Sequence, residues 1–356
     1  MNGILRQVDT PIRVAPRPAT PVLSLARAIE RLQTPDLFEA YSPLTGSPLF
    51  AVDLGAETRW PEEIALAVAR EALSELPCPS VALAQGLLAP AAEALVAEFD
   101  AVVRSPHELE LVADGVFAQP LASQALAQLL RLSAGCSVHE GLVAESLVYA
   151  TLQAGPEFAA WLAARPDPKP RPRPDRPAVR IERIEGQMEV WLDRPEKRNA
   201  FSAEMRDALC EALALAVIDG SVERVSLRGE GPVFCSGGDL DEFGTLPDPA
   251  TAHAIRCTRH PARLLHALEA RVECVVQGSC VGAGVELPAF AARVVARPDA
   301  SFRLPELGMG LVPGAGGTVS LPRRIGRQRT AWLALTGAAI DVETAHTWRL
   351  VDAIAE

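Results

Sequence analysis

The sequence predicts an α/β layered fold with parallel strands, and three observations lead to this prediction. Short apolar segments with strand character alternate with longer segments whose apolar residues recur every fourth position, as on one face of a helix. Glycine-rich turns follow two of the predicted strands, at 229–238 and 278–284. Hydrophobic residues make up 49% of the 356 residues, so a substantial core is possible.

A run of alternating prolines divides the chain in two. Residues 165–177 read Arg-Pro-Asp-Pro-Lys-Pro-Arg-Pro-Arg-Pro-Asp-Arg-Pro. Such a run excludes helix and favours extended polyproline II, so we interpret it as a semi-rigid, solvated linker. The linker separates an N-terminal unit at 1–164 from a C-terminal unit at 178–356.

The segments after the linker alternate between strand and helix. Ser202 is a plausible N-cap for the helix that follows it, and Glu185-Gly186 is the turn of a strand pair. The predicted elements, in order, are strands at 179–184 and 188–192, a helix at 203–217, a strand at 225–228, a helix from Asp239, a helix at 251–270 and a strand at 272–277.

The first half shows the same alternation of strands and helices, with weaker sequence signals. Its predicted elements are a strand at 49–54, a helix at 61–76, a strand at 80–85, a helix at 91–99, a strand at 101–103 and two long helices at 121–133 and 139–164. When residue numbers in the first half are increased by 192, the two halves align weakly, as the copies of an internal repeat would. This offset pairs Gln85-Gly86 with Gln277-Gly278, Val102-Val103 with Val294-Val295, Ala94 with Glu286, and Asp114 with Glu306.

Charge and composition exclude several classes of function. The net charge of −11 argues against general binding to nucleic acid or to anionic membranes. No apolar run reaches the ~18 residues of a membrane span, and the N-terminus lacks an apolar signal core, so we expect a cytoplasmic protein. The seven cysteines include no C-x-x-C pair, so we expect neither a metal site nor a disulfide framework.

Two glutamates, Glu286 and Glu306, occur in segments that otherwise look buried. Glu286 follows a glycine-rich turn that opens a helix, and its helical neighbours are Gly, Ala and Phe. A carboxylate on such a face loses hydration, which raises its pKa. Two carboxylates in one water-poor site can perform general acid and base catalysis, and the turn offers backbone N–H groups to a developing negative charge.

Four motifs in the right order make the second half resemble the crotonase superfamily, the enoyl-CoA hydratases and isomerases. They are Arg194-Pro-Glu-Lys-Arg-Asn-Ala-Phe-Ser202, Phe234-Cys-Ser-Gly-Gly-Asp-Leu240, the segment 278–287 and the segment 302–317. The resemblance implies a crotonase-like spiral of βαβ units over 178–356 that assembles into trimers or hexamers. The first half is then a smaller, degenerate crotonase-like α/β unit with two long helices.

The resemblance also implies a substrate and a set of site residues. The substrate is an acyl-CoA thioester, with no further cofactor, and its carbonyl oxygen binds between the backbone N–H groups of Gly238 and Ala283. Glu286 and Glu306 are the catalytic pair, and having both favours the hydration of a 2-enoyl-CoA over double-bond isomerisation. The residues that fall where family members line the CoA and substrate groove are Lys197, Arg198, Ala200, Ser236, Gly237, Asp239, Leu240, Gly282 and Pro305.

Two departures from the family pattern stand out. The sequence ends at Glu356, where family members continue into C-terminal helices that cover the site, and Pro288 comes early in its predicted helix. Residues 121–165 resemble such a tail but precede the catalytic half. We therefore hypothesise that the helices of the first half pack on the second, in the same chain or across subunits.

Other functions remain open. A serine hydrolase would use Ser236, but Phe234 replaces the first glycine of G-x-S-x-G, and His253, His260 and His266 are expected to face solvent. A dinucleotide-binding site at Gly282-Ala-Gly284 lacks its third glycine. Other enolate chemistry, such as double-bond isomerisation or C–C bond hydrolysis, and a non-catalytic acyl-CoA-binding subunit are the remaining alternatives.

Overall fold

The computed structural model describes residues 20–55, 63–86, 88, 95–166, 176–246 and 248–355, which form three sheets surrounded by helices. The strands are β1 (Val22–Ser24), β2 (Phe50–Asp53), β3 (Ser80–Leu83), β4 (Ala101–Val103), β5 (Val179–Ile184), β6 (Gln187–Leu192), β7 (Arg224–Gly229), β8 (Val272–Val276), β9 (Ser279–Val281), β10 (Arg293–Ala296), β11 (Ser301–Arg303), β12 (Ile340–Asp341) and β13 (Ala353–Ile354). No helix among the described residues is long and apolar enough to cross a membrane.

The helices of the first half are α1 (Leu25–Leu32), α2 (Leu37–Ala40), α3 (Glu63–Glu75), α4 (Pro106–Ala118), α5 (Pro120–Ser133), α6 (Val138–Gln153) and α7 (Pro156–Ala163). Those of the second half are α8 (Ala203–Ile218), α9 (Pro249–Thr258), α10 (Pro261–Ala267), α11 (Ala283–Glu286), α12 (Gly317–Ile325), α13 (Arg327–Thr336) and α14 (Val342–Thr347). The linker residues 167–175 lie outside the described residues.

The second half is built on a six-stranded sheet in the order β13-β10-β8-β7-β6-β5. Its strands are parallel except for the β5–β6 hairpin, which confirms the predicted strand pair. The Ser202 side chain caps α8 as predicted, because its oxygen accepts a hydrogen bond from the Met205 N–H at 3.2 Å. The α/β class with parallel strands is therefore confirmed.

The first half carries a separate sheet of four parallel strands in the order β1-β2-β3-β4. Adding 192 to the numbers of β3 and β4 gives positions within β8 and β10, which are also parallel neighbours. Gly86 and Gly278 both have positive φ, +69° and +58°. Ala94 lies outside the described residues, and Asp114 is an exposed residue of α4, a helix that the sequence reading missed.

Three of the predicted helices are shorter than expected, two of them because of proline. The segment 139–164 forms two helices because Gly155-Pro156 ends one and begins the next, and 251–270 is divided at His260-Pro261 in the same way. After Asp239 comes only a single 3₁₀ turn, Leu240–Glu242. All three expectations were wrong in extent; in the first two, the missing proline N–H and the restricted residue before it end a helix despite an apolar pattern.

The two halves pack against each other through helices. In the interface, α5 and α6 contact α12, while α4 contacts α13. The buried Asp100 joins the halves: its carboxylate accepts a hydrogen bond from Arg131 at 2.9 Å and another from Arg327 of α13 at 2.7 Å. One hydrophobic core includes residues of both halves, so the second half does not bury its apolar faces alone.

Candidate active site

Glu286 occupies the last position of α11, a one-turn helix that begins directly after Gly282. Gly282 has φ +51°, and any side chain there would overlap Oε1 of Glu306, so the turn requires glycine and brings the two predicted carboxylates together. Glu286 is 2% exposed. Its Oε2 accepts hydrogen bonds from the N–H groups of Ala315 at 2.7 Å and Gly317 at 2.8 Å.

Burial raises the pKa of Glu286 well above its usual value, and the neighbouring carboxylates of Glu306 and Glu145 raise it further. The backbone donors oppose this shift, because they favour the charged form. The described residues include no hydrogen bond to the other carboxyl oxygen, Oε1. One oxygen of Glu286 is therefore held by the protein, and the other is free to meet a ligand.

Glu306 opens a short 3₁₀ turn, Glu306–Met309, that follows β11 and Pro305. Its Oε2 is buried and has no hydrogen-bond partner among the described residues. Burial raises the pKa of Glu306 to about 7, with a further contribution from Glu145. An unpartnered buried carboxyl oxygen is costly in a folded protein, which indicates that a ligand or water completes its hydrogen bonding.

The two predicted backbone donors, Gly238 and Ala283, lie on adjacent turns. These turns are joined by a hydrogen bond of 3.0 Å from the Val281 N–H to the Cys235 carbonyl. Gly237 has φ +88°, a conformation that favours glycine. A side chain at Gly238 would come within 2.8 Å of the Phe243 ring, so this turn has little room for any residue larger than glycine.

Among the described residues, neither the Gly238 N–H nor the Ala283 N–H donates a hydrogen bond. Ala283 is the first residue of α11, so its N–H has no acceptor within that helix. The two donors remain available to an oxyanion.

The residues predicted to line the CoA groove lie around these turns. The Lys197 ammonium bonds to Asp239 at 2.7 Å and Asp241 at 3.2 Å, so two of these residues pair with each other. The Arg198 carbonyl accepts a hydrogen bond from the Ser236 N–H at 3.0 Å, while its side chain is exposed. Ala200, Leu240 and Pro305 are each at least partly exposed, and Gly237 and Gly282 form the turns themselves.

The sequence reading missed a third carboxylate, Glu145 of α6. It is 1% exposed, and it accepts hydrogen bonds from Gly316 N–H at 2.7 Å and from Thr318 N–H at 2.9 Å. Burial raises its pKa to about 7. The one signal in the sequence was a single charged residue in the apolar stretch 141–150.

The sequence reading also missed Tyr149 and Arg256. Arg256 of α9 lies over the Tyr149 ring, 4.6 Å from its centroid, and donates a hydrogen bond to the Ser146 hydroxyl at 3.0 Å. Burial raises the pKa of Tyr149, and the charges of Glu306, Glu286 and Glu145 add to this shift while Arg256 opposes it. Tyr149 therefore lies near all three carboxylates.

The structure corrects one expectation about histidine and gives no support to a serine hydrolase. His260 is buried and not solvent-facing, and burial lowers its pKa to about 4. His253 shares a hydrogen bond with Ser146 at 2.9 Å. The described residues include no hydrogen bond between a histidine and Ser236. They also include no cluster of three or more side chains that could hold a metal ion.

Comparisons with known proteins match about half of the chain. The family model for enoyl-CoA hydratase/isomerase matches residues 182–356. The 1,2-epoxyphenylacetyl-CoA isomerase of Escherichia coli K12 is 36% identical over 170 residues, which cover 47% of this chain and 65% of the relative. The probable mitochondrial enoyl-CoA hydratase 2 of Arabidopsis thaliana is 34% identical over 180 residues, covering 49% and 60%.

Solved structures match a similar share of the chain. A putative enoyl-CoA hydratase/isomerase from Mycobacterium abscessus is 35% identical, with a TM-score of 0.48; the match covers 50% of this chain and 71% of that one. The chain thus spans about 60–65% of the length of the first two curated relatives. The family model leaves residues 1–181 unmatched.

Proposed function

Because residues 182–356 place this chain in the enoyl-CoA hydratase/isomerase family, the crotonase superfamily, we propose that it adds water to a 2-enoyl-CoA thioester or removes it. One observation carries the proposal. The buried carboxyl group of Glu286 and the half-buried Glu306, each with an oxygen free of protein partners, lie beside two backbone N–H groups that have no acceptor. The relatives include hydratases as well as isomerases: the 2,3-dehydroadipyl-CoA hydratase of E. coli is 34% identical over 162 residues.

The first step is the binding of the thioester carbonyl. Its oxygen accepts hydrogen bonds from the N–H groups of Gly238 and Ala283, which polarise the conjugated double bond. When a nucleophile adds to Cβ, the negative charge moves to this oxygen as an enolate. Removing one such donor typically costs about 3 kcal/mol in the transition state, so two donors account for a large part of the rate.

Glu286 and Glu306 handle the protons jointly. One carboxylate takes a proton from water while the water oxygen forms a bond to Cβ. The other carboxyl group gives its proton to Cα as the enolate collapses to the thioester. The product is a 3-hydroxyacyl-CoA, and dehydration follows the same path in reverse. Raised pKa values suit this chemistry, because they let one group be protonated while the other is ionised near neutral pH.

Further properties belong to the proposal. The CoA moiety would lie along Lys197, Arg198 and the turn at 236–240, where the Lys197–Asp239 ion pair would be rearranged or bridged. We also expect a cytoplasmic homo-oligomer, a trimer or hexamer, that needs no metal or added cofactor.

The test is turnover by the purified chain. Crotonyl-CoA and an aryl 2-enoyl-CoA are offered, and the loss of the enoyl-thioester absorbance is followed. Glu286→Gln should lower kcat by about 10²–10⁴-fold, because a general acid or base is lost, while the Kd for a CoA ester changes little. The exposed Glu343→Gln is the matched control and should behave like the unmodified protein.

Two results would overturn the proposal. Tight binding of CoA esters without any turnover would identify a binding subunit. A shift of the double bond without addition of water would identify an isomerase.

A further inference from the structure

We propose that Glu145, contributed by the first half, is a positioning residue of this active site: it holds the turn 315–318 that orients Glu286, and it is the third carboxylate of the acid/base site. This inference rests on the proposed function. It extends that function by making a residue of α6, outside the matched region 182–356, part of the catalytic centre.

The hydrogen bonds at the start of α12 show how closely Glu145 and Glu286 are linked. Four consecutive N–H groups, at 315, 316, 317 and 318, alternate between the two carboxylates. Those of Ala315 and Gly317 bond to Glu286, and those of Gly316 and Thr318 bond to Glu145. The Thr318 hydroxyl adds a further bond to Glu145 at 2.7 Å. Neither carboxylate can move without disturbing the turn that holds the other.

A comparison within the first half separates this role from plain helix capping. Glu157 of α7 accepts hydrogen bonds from the N–H groups of Leu121 at 2.8 Å and Ala122 at 2.9 Å, so it caps α5 as Glu145 caps α12. Burial raises the pKa of Glu157, but no other charged group contributes to the shift. Glu145, in contrast, contributes to the shifts of both Glu286 and Glu306.

The charged and titratable groups around Glu145 come from several elements. Glu286 faces it from α11 and Glu306 from the turn after β11, while Tyr149 lies one turn along its own helix and Arg256 lies on α9. Cys235 and Arg303 lie farther out, beside Glu286 and Glu306 respectively. Arg256 is the cation that partly compensates Glu145. Neutralising Glu145 therefore removes a negative charge from beside the catalytic pair and makes that pair easier to ionise.

The experiment compares Glu145→Gln with Glu157→Gln in the full chain. Glu145→Gln should lower kcat at least tenfold, because a glutamine offers one oxygen where three donors need acceptors, and should leave KM within a fewfold. It should also move the acid limb of the pH profile of kcat/KM to lower pH by roughly half a unit or more. Glu157→Gln should lower the melting temperature without moving that profile.

A less disruptive variant tests the same inference if Glu145→Gln does not fold. Thr318→Val keeps the backbone donor and side-chain shape but deletes the hydroxyl, so Glu145 becomes easier to protonate and the acid limb should shift in the same direction by less. An unchanged profile in Glu145→Gln or, if that variant does not fold, in Thr318→Val would overturn the inference.

A second readout separates failure of this inference from failure of the proposed function. If the unmodified chain does not hydrate any 2-enoyl-CoA, the proposed function fails, but infrared spectra still report the titration of buried carboxyl groups without substrate. In Glu145→Gln the remaining buried carboxyls should titrate at lower pH than in the unmodified chain. Identical midpoints in both proteins would overturn the inference on their own.

Discussion

Both halves of this protein contain a sheet with parallel strands, but most residues of the candidate site belong to the second half. In the second half, the end of β9 leads into Gly282, α11 and Glu286, and β11 leads into Glu306. In the first half, β4 (Ala101–Val103) is followed by α4, which holds the exposed Asp114. The contribution of the first half to the candidate site comes instead from α6, which carries Glu145 and Tyr149 close to Glu286 and Glu306. A strand arrangement alone does not make a site; the turns and helices that follow the strands do.

The test with the largest expected effect is to remove the first half. Without residues 1–177, α12 loses its contacts with α5 and α6, and its fully buried Val319, which packs against Gly141 of α6, meets water. We expect the fragment 178–356 to be insoluble or to lack a cooperative unfolding transition, measured by circular dichroism on heating. A stable and active fragment would contradict this expectation.

A second test neutralises one acid in each half, at the two positions that the 192-residue offset pairs. Glu306→Gln should reduce kcat by about 10²-fold or more, because it removes one of the proton-transferring groups. Asp114→Asn, at the position 192 residues earlier, should leave turnover within about twofold. Steady-state kinetics on the same enoyl-CoA measure both, and a comparable loss in Asp114→Asn would show that the first half carries a working counterpart.

A third test concerns the contact between the halves. Asp100 is 1% exposed and bonds to Arg131 and Arg327, so Asp100→Ala leaves two guanidinium groups without their buried partner. The free energy of unfolding should fall by about 3 kcal/mol or more. Urea denaturation measures this loss. The exposed Asp36, which pairs with Arg31 on the surface, offers the control: Asp36→Ala should change the free energy of unfolding far less than Asp100→Ala does, because solvent screens an exposed ion pair.

The smallest expected effect is a pH dependence of stability. Glu145, Glu286 and Glu306 have raised pKa values, so the folded state binds more protons than the unfolded state between about pH 4.5 and about pH 7. The free energy of unfolding contributed by these groups is therefore largest below that window and falls as the pH rises through it. Glu286→Gln should flatten the slope, measured as melting temperature against pH, whereas an unchanged slope would contradict the assigned burial.

Much of the second half could be predicted from the sequence because its signals are local. The Ser202 cap, the β5–β6 turn and the glycine turn before Glu286 each depend on neighbouring residues, and the structure contains all three. Glu145 could not be predicted, because its partners at 316–318 are 171 or more residues away in the chain. Its placement depends on how helices of the first half pack, which no local pattern encodes.

The prolines show where local signals compete. Apolar periodicity runs through Gly155-Pro156 and His260-Pro261, yet both helices end there because proline offers no N–H to the preceding turn. The same break lets α9 and α10 turn independently, so that Arg256 lies over Tyr149 while His260 is buried. Periodicity predicts which residues are buried more reliably than where a helix ends.

A crystal structure of the full chain with a bound CoA thioester tests the central claim most directly. We predict the thioester oxygen within hydrogen-bonding distance of both the Gly238 and Ala283 N–H groups, with Cα and Cβ between Glu286 and Glu306 and with Glu145 still bonded to the turn 316–318. A thioester bound away from these two donors, or a site in which α6 has left the catalytic half, would contradict that claim.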